Sequence, residues 1–162
     1  MKTKSVVMLL SLLTLLVCGL LATSVLPWQG EAIAQTPATP EASLAPVEKD
    51  MHEFMEYVFQ PTYKRLKEAM KSEPQDKKGW LEVKSGSLIL AEGGNLIMLR
   101  APEENAKTWN ELSVSVRDYG SKMYRAAHDK DFAAATQNYK NMLQQCNKCH
   151  QEFADGEHQL TP

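Results

Sequence analysis

The stretch Trp109-Asn-Glu-Leu112-Ser-Val-Ser-Val116-Arg-Asp-Tyr119-Gly-Ser-Lys-Met123-Tyr-Arg-Ala126 puts an apolar or aromatic residue at steps of 3, 4, 3, 4 and 3. Those are heptad steps, the period at which helices pack side by side. The segment is predicted to start near Pro102, because the first helical position tolerates a missing N–H. The same period continues on either side. From about Asp76 to Arg100, Trp80, Val83, Ser87, Leu90, Ala91, Gly94 and Met98 fall along one face. From Asp131, a predicted N-cap, a further helix aligns Phe132, Thr136, Tyr139, Leu143, Cys146, Cys149, His150 and Phe153, and frays near Gly156. The first helix is predicted over about Lys49 to Lys71, where Met51, Met55, Val58, Leu66, Ala69 and Met70 share a face.

No alternating strand pattern of useful length occurs, and the connections are short, as between antiparallel neighbours. The expected fold class is all-α, an antiparallel up-down-up-down four-helix bundle over residues 49–158. Two features interrupt the pattern. Pro61 lies inside the first helix, removes a backbone donor and predicts a kink. Gly93 and Gly94 lower helix propensity, which makes sense where another backbone or a flat ligand approaches closely.

Composition narrows the function classes. The chain has 162 residues, 43% hydrophobic and 23% charged, ordinary for a globular protein. Lys+Arg total 18 against Asp+Glu 20, and that balance excludes nucleic acid as a main partner, which would call for a basic surface. Three cysteines exclude a disulfide-rich scaffold, since one intramolecular bridge at most can form.

The N-terminus reads as an address. Lys2 and Lys4 precede a long apolar run, and Ala32-Ile33-Ala34 supplies a small-x-small cleavage pattern before Gln35. Residues 1–34 are expected to be a secretory signal peptide, which places the protein in the periplasm. The competing expectation is an uncleaved anchor, because residues 5–26 carry no charge and are long enough to span a bilayer. The flanking lysines predict export of the remainder in either case. Cys18 follows Val17 rather than a small residue, which argues against lipoprotein processing. Residues 35–48, with three prolines and little bulky apolar content, are expected to be a flexible linker.

The chemistry concentrates in Cys146-Asn147-Lys148-Cys149-His150, the C-x-x-C-H signature of c-type haem attachment. Two thiols three residues apart lie near each other on a helix and can bond to the two vinyl carbons on one side of a porphyrin. His150 then offers its imidazole to the iron, and its other ring nitrogen is expected to hydrogen-bond to a carbonyl or carboxylate. Other readings fit less well. A structural zinc site wants four Cys or His ligands, and beyond the motif only His52, His128 and His158 are available, scattered. A redox dithiol usually opens a helix after a strand, whereas this pair lies late in a helical run. A plain disulfide leaves His150 without a role.

With an export signal, a helical body of this size and C-x-x-C-H near the end of its fourth helix, the chain resembles the class II c-type cytochromes. These are the cytochrome c-prime group and its low-spin, methionine-ligated relatives. The resemblance covers residues 49–158. It implies one covalent haem c per chain, packed among the helices near one end, with a distal side faced by the first helix. In the low-spin relatives a methionine of that helix is the sixth iron ligand; in cytochrome c-prime an apolar side chain takes that place. Met55, Met51 and His52 are the candidates here. Met55 is favoured, being deeper in the apolar stripe and further from the helix start, and a soft thioether suits haem iron. Where the family often carries an arginine one turn before the distal residue, this chain has Met51. Arg65 and Arg100 are the basic residues that could serve the haem propionates.

The leading expectation is a periplasmic electron carrier rather than an enzyme, working with redox partner proteins. No acid–base pair accompanies the motif, so the chemistry is the haem's own. The alternative is a five-coordinate haem protein binding nitric oxide or carbon monoxide, with Met55 and Phe54 as a steric gate. A small peroxidase would need His52 as distal proton acceptor. The resemblance also implies a homodimer; membrane contact is expected only if the N-terminal segment is uncleaved.

Overall fold

A computed structural model describes residues 43–162. The signal peptide expected over 1–34, with Cys18, and the first part of the linker lie outside these residues. The rest of the linker has no regular structure, and Leu44 and Val47 are exposed.

Four helical rods follow. The first, α1, spans 51–69 in three stretches: α-helix over Met51–Phe54, π-helix over Met55–Phe59, and α-helix again over Gln60–Ala69. Then come α2 (Lys77–Met98), α3 (Ala106–His128) and α4 (Phe132–Phe153). They form a mostly antiparallel four-helix bundle, with no strand among the described residues. α2 packs along α3, α3 along α4, and α1 along α2.

Aspartates set three of the four starts. Asp50, Asp76 and Asp131 each accept, through Oδ1, the amide N–H three residues on, at 2.9, 2.7 and 2.9 Å. Each satisfies a donor that the first helical turn would leave unpaired. α3 differs. It begins at Ala106, not near Pro102, because residues 101–105 form a turn that ends with Asn105 in the left-handed region at φ 58°. Asparagine tolerates that conformation better than most residues.

Pro61 has an effect one turn upstream. The Gln60 amide bonds to the carbonyl of Met55, five residues back, and this widened turn stands directly before the proline. Pro61 has no N–H and its ring crowds the preceding turn; a π turn gives that turn an extra residue. The Thr62 hydroxyl donates to the Val58 carbonyl at 2.8 Å, four residues back. The widened turn also changes which residues face inward. Phe54 and Phe59, five apart, both become buried and meet edge to face at 5.6 Å between ring centres.

The core is built from Leu66, Val83, Met123, Tyr139, Met142 and Leu143, with Ala135 fully buried among them. Ser87 and Ser113 are buried as well, and their hydroxyls donate to the Val83 and Trp109 carbonyls at 2.7 Å each. Small residues bring the rods together. A Cβ on Gly94 would lie 2.9 Å from the Ser113 carbonyl oxygen and the Arg117 amide nitrogen, and one on Gly120 about as close to the backbone of Ala91. The approach anticipated at Gly94 is therefore the backbone of α3. At Gly93 it is the flat ring of Phe59, 2.5 Å from where a Cβ would stand.

Candidate functional site

α4 delivers the C-x-x-C-H residues to a cavity between the rods. Its walls are Met55 and Phe59 from α1, Ile97 from α2, Leu112, Ser113 and Val116 from α3, Cys146, Cys149 and His150 from α4, and Leu160 from the C-terminal tail. The cavity is small, about 40 Å³, room for a few waters. The only hydroxyl in the wall, that of Ser113, is committed to the Trp109 carbonyl. What remains is an apolar recess with two thiols, one imidazole and one thioether.

Both cysteines are free. Burial pushes the Cys146 thiol up to about 12 and the Cys149 thiol up to about 11. A buried apolar site disfavours the charged thiolate, so both groups stay protonated at neutral pH. A redox dithiol needs the opposite, a thiol whose pKa is lowered. Among the described residues no cluster of three or more His, Cys, Asp or Glu side chains is gathered to hold an ion, which is what a structural zinc site would require.

His150 is half-buried, and burial lowers its pKa, so it is held neutral. Its Nδ1 lies 3.0 Å from the backbone carbonyl of His158. A carbonyl can only accept, so Nδ1 carries the proton and Nε2 keeps its lone pair. The carbonyl partner expected for one ring nitrogen is thus in place, and it comes from the tail.

The three distal candidates separate. Met55 lines the cavity together with Cys146, Cys149 and His150. Met51 packs against the core but does not line the cavity. The His52 side chain is exposed and lies 3.7 Å from Glu56. Phe54 does not line the cavity either. It packs on Phe59, and the Arg100 guanidinium stacks on it at 3.8 Å. Arg100 in turn donates to the Glu48 and Leu96 carbonyls. It therefore anchors the entry to α1. Arg65 is exposed, with its guanidinium 3.5 Å from the Thr62 hydroxyl.

Sequence reasoning missed Phe59, Ile97, Ser113 and Leu160 as cavity residues. Phe59 falls off the 3.6-residue stripe and is turned inward by the π segment, for which Pro61 was the available signal. Leu160 follows the last periodic residue, and nothing in its local sequence marks it.

Compared with family models, curated proteins and solved structures, the chain matches none. What the site does is argued from its own residues.

Proposed function

We infer that the protein is an exported c-type cytochrome of the class II kind, carrying single electrons on one covalently attached haem. The observation that carries this reading is one cavity shared by the Cys146 and Cys149 thiols, the free Nε2 of His150 and the Met55 thioether. The residues fit the group. A porphyrin face is apolar, and so are the walls. The thiols are neutral, the form that adds across a vinyl group by giving its hydrogen to one carbon and its sulfur to the other. One donor nitrogen and one soft sulfur stand in the same recess.

Bound there, haem supplies reversible one-electron Fe(III)/Fe(II) chemistry. The chain's own part is structural and electrostatic. Cys146 and Cys149 tether the group. His150, kept neutral by burial and oriented through Nδ1, offers Nε2 as proximal ligand. Met55 would offer its sulfur to the iron. Phe59, Ile97, Leu112 and Val116 exclude water, which limits solvent reorganisation around a change of charge. In this reading the rods run up-down-up-down, with the haem near one end. The N-terminal segment directs export to the periplasm, and the partners are other redox proteins.

The test is maturation of the full chain in a host that attaches haem c. The product should be coloured, heavier than the processed chain by one haem, and low-spin in the ferric state with a thioether charge-transfer band. Met55→Ala should turn it high-spin. A colourless product with the mass of the bare chain would sink the reading. A wild-type protein that is already high-spin, and whose ferrous form shifts on adding carbon monoxide, would replace electron transfer by gas binding.

A further inference from the structure

After α4 the chain turns back over the helix it has just left. Asp155, Gly156 and His158 have φ of 50°, 78° and 57°, and these left-handed steps reverse the direction of residues 154–162. A short segment beyond the last helix frays unless it is tied down. This one is tied from two helices. From α4, Asn147 donates through Nδ2 to the Leu160 carbonyl at 2.9 Å and accepts the Leu160 amide through Oδ1 at 2.7 Å. From α1, the Tyr63 hydroxyl donates to the Thr161 carbonyl at 2.7 Å and accepts the Thr161 amide at 3.1 Å, and Lys67 donates to the same carbonyl at 3.0 Å.

The tail has two contacts with the cavity. Leu160 forms part of its wall, and the His158 carbonyl accepts the Nδ1–H of His150. Asn147 stands between the two thiols in sequence and three residues before His150, on the same helix. Its amide uses both a donor and an acceptor on Leu160, two positions from His158, as the Tyr63 hydroxyl does one residue further on at Thr161.

We propose that Asn147 is a positioning residue for His150, acting through the tail it clamps. By fixing Leu160 it holds the His158 carbonyl against Nδ1, which sets the tautomer of the imidazole and the donor strength of Nε2. Its effect on a bound iron rests on the haem reading above; its effect on the tautomer does not. An Nδ1–H hydrogen bond increases the basicity of the ligating nitrogen. A more strongly donating imidazole stabilises ferric over ferrous iron, so loosening the tail raises the reduction potential.

The experiment compares the haem-matured full chain with Asn147→Ala, with deletion of residues 158–162, and with both changes together. Asn147→Ala should shift the reduction equilibrium about tenfold toward the ferrous state, ~59 mV for a one-electron couple. The deletion should reproduce the shift, and combining the two should add nothing further, since both act through one element. In the chain expressed without haem, NMR should find the His150 proton on Nδ1 in the wild type and shared between both nitrogens in each variant. The Leu160 amide should exchange faster in Asn147→Ala. Faster exchange with an unmoved potential and tautomer would overturn the proposal, as would additive shifts in the combined variant. If the wild type takes up no haem, the haem reading fails, and the tautomer measurement still decides the role of Asn147.

Discussion

The wall of the cavity that carries His150 is held by directional hydrogen bonds, whereas the wall that carries Met55 is held by packing. On the first, the His150 ring is bonded to the His158 carbonyl, and the tail that brings this carbonyl is clamped by Asn147, Tyr63 and Lys67. On the second, Met55 and Phe59 stand on a π turn, and Phe59 is fixed by Phe54 and by the bare backbone of Gly93. Hydrogen bonds fix angle and protonation state; dispersion fixes volume and tolerates sliding. The comparison teaches that the two walls fail differently. Damage on the His150 side alters how strongly a ligand donates, and damage on the Met55 side alters whether a ligand is there.

The sharpest way to break that contrast is to remove the imidazole. In the matured protein His150→Ala should abolish the normal visible spectrum while leaving the haem mass on the chain, because the thioethers do not depend on the ligand. Mass spectrometry beside an optical spectrum checks this, and an unchanged spectrum would end the role assigned to His150.

Next in size is Phe59→Ala. Truncating a buried phenylalanine costs about 3–5 kcal/mol, read as a lower midpoint in chemical denaturation. The loss should fall on the Met55 wall, so the His150 tautomer should not move. A change of tautomer would show that the walls are coupled.

The thiols come third. In the chain without haem, a pKa raised from 9.0 to about 11 at Cys149 lowers its thiolate fraction at neutral pH roughly hundredfold. Alkylation should be slower by that factor than in the denatured chain. Linkage follows with a definite sign. Above pH 9 the unfolded thiols lose protons that the folded ones keep, so stability falls as pH rises from 9 toward 11 and 12. For His150, whose folded pKa is lowered, the unfolded state binds more protons below pH 6.5, and stability falls on the acid side. A flat denaturation profile across both windows would contradict the burial of these groups.

The smallest expected effect is that of Gly93→Ala. The new Cβ would stand 2.5 Å from the Phe59 ring, and overpacking of this kind costs about 1–3 kcal/mol. It should displace the Met55 wall without touching the tail, so the low-spin fraction should drop while the Leu160 amide stays protected.

Much of this molecule was legible before its coordinates. The stripe from Trp109 to Ala126 specifies a bundle helix because burial on one side of a 3.6-residue repeat leaves a periodic trace. Of that stripe, Trp109, Val116, Met123 and Ala126 are buried, and Leu112 lines the cavity. Asp76 and Asp131 announce helix starts because capping is local. The motif is local too: its chemistry needs thiols and an imidazole within five residues.

Other features could not be read in the same way. Pro61 indicated a disturbance without its form. That form is a π turn, which leaves Phe54 and Phe59 buried against each other. The start of α3 moved from Pro102 to Ala106 because the turn before it depends on where α2 ends.

Sequence alone determined four amphipathic helices, the motif at the end of the last, and the set of residues from which a distal ligand could come, since each is written in spacing along one strand of chain. Only the tertiary structure decided that Met55, not Met51 or His52, joins Cys146, Cys149 and His150 around one cavity, and that a carbonyl eight residues downstream orients the imidazole. Those are contacts between segments far apart along the chain or across a reversal of its direction. Their geometry is set by how the rods pack and where the tail folds back, and neither leaves a period in the sequence.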